Sequence, residues 1–326
     1  MRFPRHWMRR GALACLLLPA SILFGVIVWL RRLLHANGLL PQSRLRVPVV
    51  VVGNLIAGGS GKTPVVIALV QTLAAAGYRP GVVSRGYGGS VEGTLRVTPD
   101  TDPAIAGDEP VLIAKRAGCP VWVGRKRVAA AEALLATDPE CDLIICDDGL
   151  QHLALARNFE IAVFDERGAG NGWLLPSGPL REPLSRLAAI DVVLYQGSAT
   201  APVAHAHAFP FSLVGDDFLR VAGNDATKAA AFAGKQVVAI AGIGNPQRFF
   251  AALEALGIRA QCRAFPDHYA YRSEDLAYPQ ADAILMTEKD AVKCVGIASP
   301  TAWALRVDAK LPATLVNRIL EKIDGP

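Results

Sequence analysis

An α/β fold is predicted by three features of the sequence. Short runs rich in Val and Ile alternate with longer helical patterns, the signature of a parallel sheet covered by helices. The first of these runs ends in "NLIAGGSGKTP", residues 54–64, where Gly-Ser-Gly-Lys-Thr has the form of a triphosphate-binding loop opening a helix. Upstream, residues 11–30, "GALACLLLPASILFGVIVWL", are uncharged and long enough to enter a lipid bilayer. Together these describe a P-loop NTPase-like parallel-sheet domain, a second and smaller α/β domain, and an N-terminal membrane helix. The expected division is an anchor helix over 1–36, the P-loop core over 37–205, and the smaller domain with its hinge over 206–326.

The anchor is argued from its length and its flanks. As a helix, residues 11–30 would span about 30 Å, the thickness of a bilayer core, with paired arginines at both ends. A secretory signal would have a shorter apolar region followed by a small-residue cleavage site, and none follows Leu30. Pro19 and the continuing "RRLLHANGLL" leave open a helix that dips into one leaflet. Residues 1–46 hold eight arginines and no Asp, Glu or Lys, so this segment carries +8 and the remainder −3 of a total of +5. The positive charge therefore suits lipid headgroups, and the slightly acidic remainder offers no basic surface for nucleic acid.

Beyond the anchor, strands are expected at 47–54, 81–86, 120–124, 142–148, 160–165 and 191–196, with helices at 62–77, 109–118 and 127–136. Pro64 in the first turn and Gly77 at the end frame the first of these helices. From about 198 to 235 the pattern breaks up and reads as a linker or hinge. A second series follows, with strands at 236–242, 261–266, 283–288 and 302–307. The six cysteines form no C-x-x-C pair and no cluster with histidine, which fits reduced thiols. Cys141 and Cys146, flanking one apolar strand, read as small buried hydrophobes.

The chemistry is concentrated in a few loops. In "GGSGKT" the glycines let backbone N–H groups close around phosphate oxygens at a helix N-terminus. Gly58, Gly59, Ser60 and Gly61 form the loop, Lys62 supplies a point charge and Thr63 offers a hydroxyl to Mg2+. The strict pattern wants glycine at 56, where Ile56 stands. "DLIICDDGLQH" runs four apolar residues into Asp147 and Asp148 at a strand's C-terminal end, an arrangement that holds the metal of a bound nucleotide. Paired acids there could instead cap the next helix. Gln151 and His152 fall on the rim of the same site. Asp108 in "GDEP" reads either as a helix N-cap or as the carboxylate that takes the proton of an acceptor hydroxyl. His268 in "FPDHYAY" is open in the same way, between a solvated loop residue and an active-site one. Arg181 and Glu182 in "LLPSGPLREP" lie where a guanidinium could hold phosphate or carboxylate, or form an ordinary surface ion pair.

The motifs "VVVVGNLIAGGSGKTP", "SRGYGG", "GDEP", "DDGLQH", "LLPSGPLREP", "AIAGIGNPQRFF", "FPDHY" and "MTEKDAVK" occur in that order. From about residue 38 to the C-terminus the chain thereby resembles the tetraacyldisaccharide 4'-kinases, the lipid A kinases of Gram-negative bacteria. The resemblance implies an enzyme on the cytoplasmic side of the inner membrane. It would use ATP and Mg2+ to phosphorylate the 4'-hydroxyl of a lipid substrate, an acylated glucosamine disaccharide 1-phosphate, giving lipid IVA. It implies Asp108 as general base, His268 as the residue that orients it and tunes its basicity, and Asp147 and Asp148 as metal-site acids. Gln151, His152, Arg181 and Glu182 become further active-site residues. A working Asp108–His268 pair would require the C-terminal domain to close on the N-terminal one. Leu150 stands where the family often has phenylalanine.

The alternative is a membrane-associated P-loop NTPase acting as a switch. A GTPase should carry Asn-Lys-x-Asp, and the nearest stretch, "TEKD" at 287–290, has Glu288 where lysine is required. A non-catalytic membrane adaptor would leave the Gly-Lys-Thr and Asp-Asp pairing without a use.

Overall fold

The N-terminal apolar stretch folds as two helices rather than one. A short α1 (Ala12–Leu16) ends at Leu17, and α2 (Leu18–Ala36) restarts with Pro19 in its first turn, where a missing N–H costs no hydrogen bond. This computed structural model describes residues 4–197, 200–223 and 225–325. Residues 1–3 of the expected anchor, residues 198, 199 and 224 of the expected linker, and residue 326 lie outside the described residues. Among the described helices, α2 is the one long and apolar enough to cross a membrane, with 19 residues and a mean hydropathy of 1.4. Its outer side leaves Ile22, Val26, Trp29 and Leu33 exposed. Its inner side presses on a loop of the main domain: Ser21 Oγ donates to the Leu174 carbonyl at 2.9 Å, and a Cβ on Gly25 would fall 2.8 Å from Leu174 Cδ1.

Four consecutive valines then form β1 (Val49–Gly53), buried on both faces as a central parallel strand must be. Val50 and Val52 point into one core and Val49 and Val51 into the other. The chain continues through α3 (Lys62–Ala75), β2 (Pro80–Ser84), β3 (Thr94–Val97), α4 (Pro103–Ala106), α5 (Asp108–Ala117), β4 (Val121–Gly124), α6 (Arg127–Thr137), β5 (Leu143–Asp147), β6 (Phe159–Phe164), β7 (Val192–Gln196) and β8 (Ala208–Val214). The smaller half holds β9 (Asp217–Arg220), β10 (Ala226–Lys228), β11 (Val237–Ala241), α7 (Pro246–Ala255), β12 (Ala260–Ala264), β13 (Ala283–Thr287), α8 (Glu288–Cys294) and β14 (Ala302–Leu305). The last elements are β15 (Asp308–Lys310) and α9 (Ala313–Ile323).

The large sheet has the order β15-β8-β7-β6-β1-β5-β2-β4-β3, parallel except at its two edges. From β1 the chain passes through α3 to β2, two places away, and returns to fill the gap with β5 before crossing to β6 on the other side. Strand order thus reverses at β1, and the crevice outside the carboxyl ends at such a point is where open α/β sheets bind ligands. The smaller sheet has the order β10-β9-β14-β13-β11-β12.

The segment expected as a linker contains three strands. β8 pairs in parallel with β7, and Phe211 is buried in the large core. β15 then returns from the C-terminal end to pair with β8, and α9 adds Leu315 and Ile319 to the same core. Strand pairing of 208–214 and 308–310, with the core packing of α9, therefore gives these segments to the large sheet's half, so a cut at 206 passes through it. The chain crosses between the sheets twice, side by side. Arg306 N donates to Asp217 O at 2.8 Å, and a Cβ on Gly215 would stand 2.0 Å from Arg306 O, a closeness that only glycine permits.

Candidate active site

Residues 54–61 turn the end of β1 into the start of α3. Gly58 and Gly61 adopt φ values of 94° and 83°, which glycine takes without strain. Asn54 Nδ2 braces the turn by donating to the Gly58 carbonyl at 3.0 Å and to Ser60 Oγ at 3.2 Å. Gly59 continues the turn, Lys62 is the first residue of α3, and Thr63 follows it.

Strand register sets the two acids beside this loop. Val52 of β1 pairs with Asp147, and Val83 of β2 pairs with Cys146, so Ser84 falls next to Asp147. Ser84 Oγ donates to Asp147 Oδ2 at 3.0 Å, while Oδ1 is buried and has no hydrogen-bond partner. Burial, and then the charges of Glu109 and Asp148, push the Asp147 carboxyl up to about 7. Asp148 takes φ 47° and turns toward cations, 3.5 Å from Lys62 Nζ and 3.1 Å from Arg181 Nη1. Burial would raise its pKa, but Lys62 and Arg181 outweigh that and hold it down to about 2. Adjacent acids are thereby placed in opposite proton affinities.

The orphaned oxygen of Asp147 suits a hard divalent cation. Among the described residues no three His, Cys, Asp or Glu side chains form a metal cage. Mg2+ is typically held by one or two carboxylates together with substrate phosphates. A consequence for stability follows from the raised carboxyl. A folded-state pKa above the unfolded one means the folded protein binds the proton more tightly, so stability falls as pH rises from about 4 to about 7. Asp147→Asn is expected to raise the thermal midpoint of the metal-free protein at pH 8, by the equivalent of about 2–4 kcal/mol. The gain should vanish at pH 4. Melting curves at the two pH values in chelator check it, and a midpoint lowered at pH 8 would count against the burial argument.

A second group of charges bridges the two sheets. Asp108 opens α5 and is 3% exposed. His268, in the loop after β12 with φ 57°, brings Nδ1 to 3.0 Å from Asp108 Oδ2 and 3.1 Å from Oδ1. Lys289, on α8, lies 3.9 Å from Asp108 Oδ2, 3.0 Å from Glu109 Oε1 and 3.7 Å from Asp267 Oδ1. Burial alone would raise the Asp108 carboxyl, but the His268 hydrogen bond and the Lys289 charge prevail and hold it below the usual carboxylate range. Burial likewise opposes the Lys289 ammonium, whose pKa Glu109, Asp108 and Asp267 nevertheless keep well above normal. Glu109 belongs to this group and also acts on Asp147, so the two groups are within electrostatic reach of each other.

Asp108 is positioned by a tight crossing of glycine loops. Gly107 precedes it with φ 90°, and a Cβ there would stand 2.6 Å from the Tyr87 carbonyl. Gly107→Ala combines a left-handed backbone with that clash and is expected to cost about 1–3 kcal/mol. For a chain of this size it should lower the thermal midpoint by roughly 2–4 °C per kcal/mol, and an unchanged midpoint would refute the crossing.

The rim residues form a third set. Gln151 Nε2 donates to Glu182 Oε1 at 2.8 Å and to the Asn54 carbonyl at 3.2 Å, and Arg181 Nη1 donates to Gln151 Oε1 at 3.4 Å. Glu182 is 3% exposed and also accepts from Arg32 of α2 at 2.8 Å. A polar chain thus runs from the apolar N-terminal helix to the phosphate loop. His152 is surrounded by positive charge: burial, then Arg127, Arg157, Arg31 and Arg85, push its pKa down to about 4, so the ring is neutral at pH 7.

The sequence profile of the family described as tetraacyldisaccharide-1-P 4'-kinase, LpxK, matches residues 13–324. The chain belongs to the LpxK family. Relatives named tetraacyldisaccharide 4'-kinase include one from Azoarcus sp. (strain BH72), 50% identical over 98% of this chain and 95% of the relative. Another, from Dechloromonas aromatica (strain RCB), is 48% identical over 98% of this chain and 97% of its own. Among solved structures, the "apo" form of LpxK from Aquifex aeolicus in complex with ATP is similar, with a TM-score of 0.82 and 30% identity. The match covers 95% of this chain and 99% of that one.

Within the LpxK family, both departures noted in the sequence have a structural account. Ile56 is fully buried and bridged to Leu180, filling the core beneath the loop, because the left-handed turns fall at Gly58 and Gly61 instead. Leu150 is fully buried on Gly53, whose Cβ would lie 2.7 Å from Leu150 Cγ. Ser84, Lys289 and Arg32 were not singled out by sequence reasoning. Lys289 lay in plain view inside "MTEKDAVK", yet nothing local distinguishes it from any helix-start lysine.

Proposed function

We propose that this LpxK-family protein transfers the γ-phosphate of ATP to the 4'-hydroxyl of a tetraacylated glucosamine disaccharide 1-phosphate, giving lipid IVA. The observation that carries the reading is a buried carboxylate, Asp108, held by His268 Nδ1 at 3.0 Å and followed by Glu109, whose charge reaches Asp147 at the phosphate site. A switch would turn the same carboxylate on water, so the fate of the phosphate separates the two readings.

In this reading the backbone N–H groups of Gly58, Gly59, Ser60 and Gly61 cradle the phosphates, and Lys62 adds its charge. Asp108 takes the proton of the 4'-hydroxyl as the sugar oxygen attacks. Its lowered pKa keeps it ionised at neutral pH. His268, in contact with both carboxylate oxygens, fixes the plane of the base. Asp148 and Arg181 hold Lys62 and the loop's rim in register. Asp147, with Thr63 and Asp148, would hold Mg2+, which when bound neutralises phosphate charge. The hinge that brings His268 to Asp108 is assigned to the paired crossings at 215–216 and 306–307.

The exposed apolar side of α2 and the arginines flanking it support attachment to a membrane, and the use of ATP favours the cytoplasmic side of the inner membrane for the catalytic half. The purified protein in detergent micelles, given γ-labelled ATP, Mg2+ and the disaccharide 1-phosphate, is expected to move label into the lipid. Label released only as inorganic phosphate, at a rate indifferent to the lipid, would favour the switch.

A further inference from the structure

Arg167 and Arg248 both approach the phosphate loop, and they are held differently. Arg167 is tied down: Nε donates to Asp165 Oδ1 at 3.0 Å and Oδ2 at 2.7 Å, and Nη2 donates to the Gly59 carbonyl. Arg248, in the first turn of α7, comes from the smaller sheet's half. Its Nη2 stands 3.5 Å from where a Cβ on Gly61 would be, so the guanidinium rests against the last turn of the loop. Among the described residues it makes no hydrogen bond or ion pair. Gln196 Oε1 is equally close to that point, buried, and also without a partner. The contact extends along the segment, since a Cβ on Gly244 would lie 3.6 Å from Gly59 N. Burial lowers the Arg248 pKa, although Asp165 and Glu166 partly restore it. A partly desolvated guanidinium with no direct counter-charge is costly to keep unless a ligand supplies the anion.

The geometry points to Arg248 as a phosphate-binding catalytic residue that the smaller domain delivers to the β- and γ-phosphates of ATP at Gly61. The inference rests on the phosphoryl-transfer reading above. In that transfer the acceptor oxygen bonds to the γ-phosphorus, and the bond from the γ-phosphorus to the β–γ bridging oxygen breaks. The electron pair remains on ADP and the hydroxyl proton goes to Asp108. Arg248 exchanges no atom. Its planar fork neutralises the charge that gathers on the bridging and terminal oxygens as the phosphoryl group moves. Because it arrives from the other domain, its charge is present only when the cleft is closed, which ties transfer to closure.

The test uses the full chain in detergent with Arg248→Ala and Arg248→Lys. It reads kcat for transfer to the disaccharide 1-phosphate, equilibrium affinity for ATP, and the thermal midpoint. Arg248→Ala is expected to lose about 10²-fold or more in kcat and about tenfold in ATP affinity at an unchanged midpoint. Arg248→Lys should recover only part of the rate, since an ammonium cannot fork across two oxygens. A rate within about threefold of the parent, with ATP affinity unchanged, overturns the assignment while leaving the 4'-kinase reading standing. If the parent itself transfers no phosphate to lipid, that reading falls, and ATP affinity alone decides Arg248: a tenfold loss sustains the contact and equal affinity removes it. Should Arg248→Ala melt early, Arg248→Lys is judged against the same thresholds.

Discussion

Asp108→Asn is expected to lower the rate of lipid phosphorylation by about 10²–10⁴-fold, the usual contribution of a positioned general base. The change keeps the shape of the side chain and its place at the start of α5 but removes the lone pair that would take the proton. It also removes the charge facing His268 and Lys289, whose contacts with Asp108 are 3.0 and 3.9 Å. ATP affinity should hardly move, because the phosphate loop is untouched. Two readouts separate catalysis from collapse: kcat should fall while ATP affinity stays near that of the parent. The thermal midpoint should drop, because the ionised, paired Asp108 stabilises the fold, yet stay above the assay temperature. Parent-level transfer by a folded Asp108→Asn protein would end the assignment of Asp108 as base.

Lys62→Ala should be as damaging for a different reason. The ammonium lies at the N-terminus of α3, where it adds to the backbone donors of the loop, and it is 3.5 Å from Asp148. Its loss removes a charge from the phosphates and leaves Asp148 with Arg181 as its remaining cation at 3.1 Å. We expect a fall of about 10²-fold or more in rate, together with weaker ATP binding. The affinity loss distinguishes it from Asp108→Asn. Equal ATP affinity in Lys62→Ala and the parent would show that nucleotide phosphates do not sit on this loop.

Much of the fold was legible because central elements carry strong local patterns. The valine run of β1 and the apolar run of β5 are buried on both faces, so burial wrote them into composition. The two edge strands of the large sheet were not legible. β3 and β15 are short and carry polar or charged residues, as strands with one unpaired side usually do. β8 was hidden by the Ala-, Pro- and His-rich stretch around it, and its place depends on β7 and on a strand about a hundred residues later. The break between α1 and α2 was not expected: Pro19 stands in the first turn of α2, and Ser21 beyond it is tied to the Leu174 loop.

The chemistry divides along the same line. Residue order alone specified an α/β protein with a phosphate loop, an acid pair at a strand end and an apolar N-terminal helix, since each is a contiguous segment with its own periodicity or backbone demand. Asp108 could be read either as a helix cap or as a base, because the contacts that distinguish it come from far away in the chain. His268 is 160 residues distant, and Lys289 and Arg248 reach the seam only because the second sheet folds against the first. The opposite proton affinities of Asp147 and Asp148 arise in the same way. Identical neighbours in sequence, they differ because strand order buries one beside Ser84 and turns the other toward Lys62 and Arg181. Electrostatics and hydrogen bonding act through space, so these properties came into being only when the sheets were assembled.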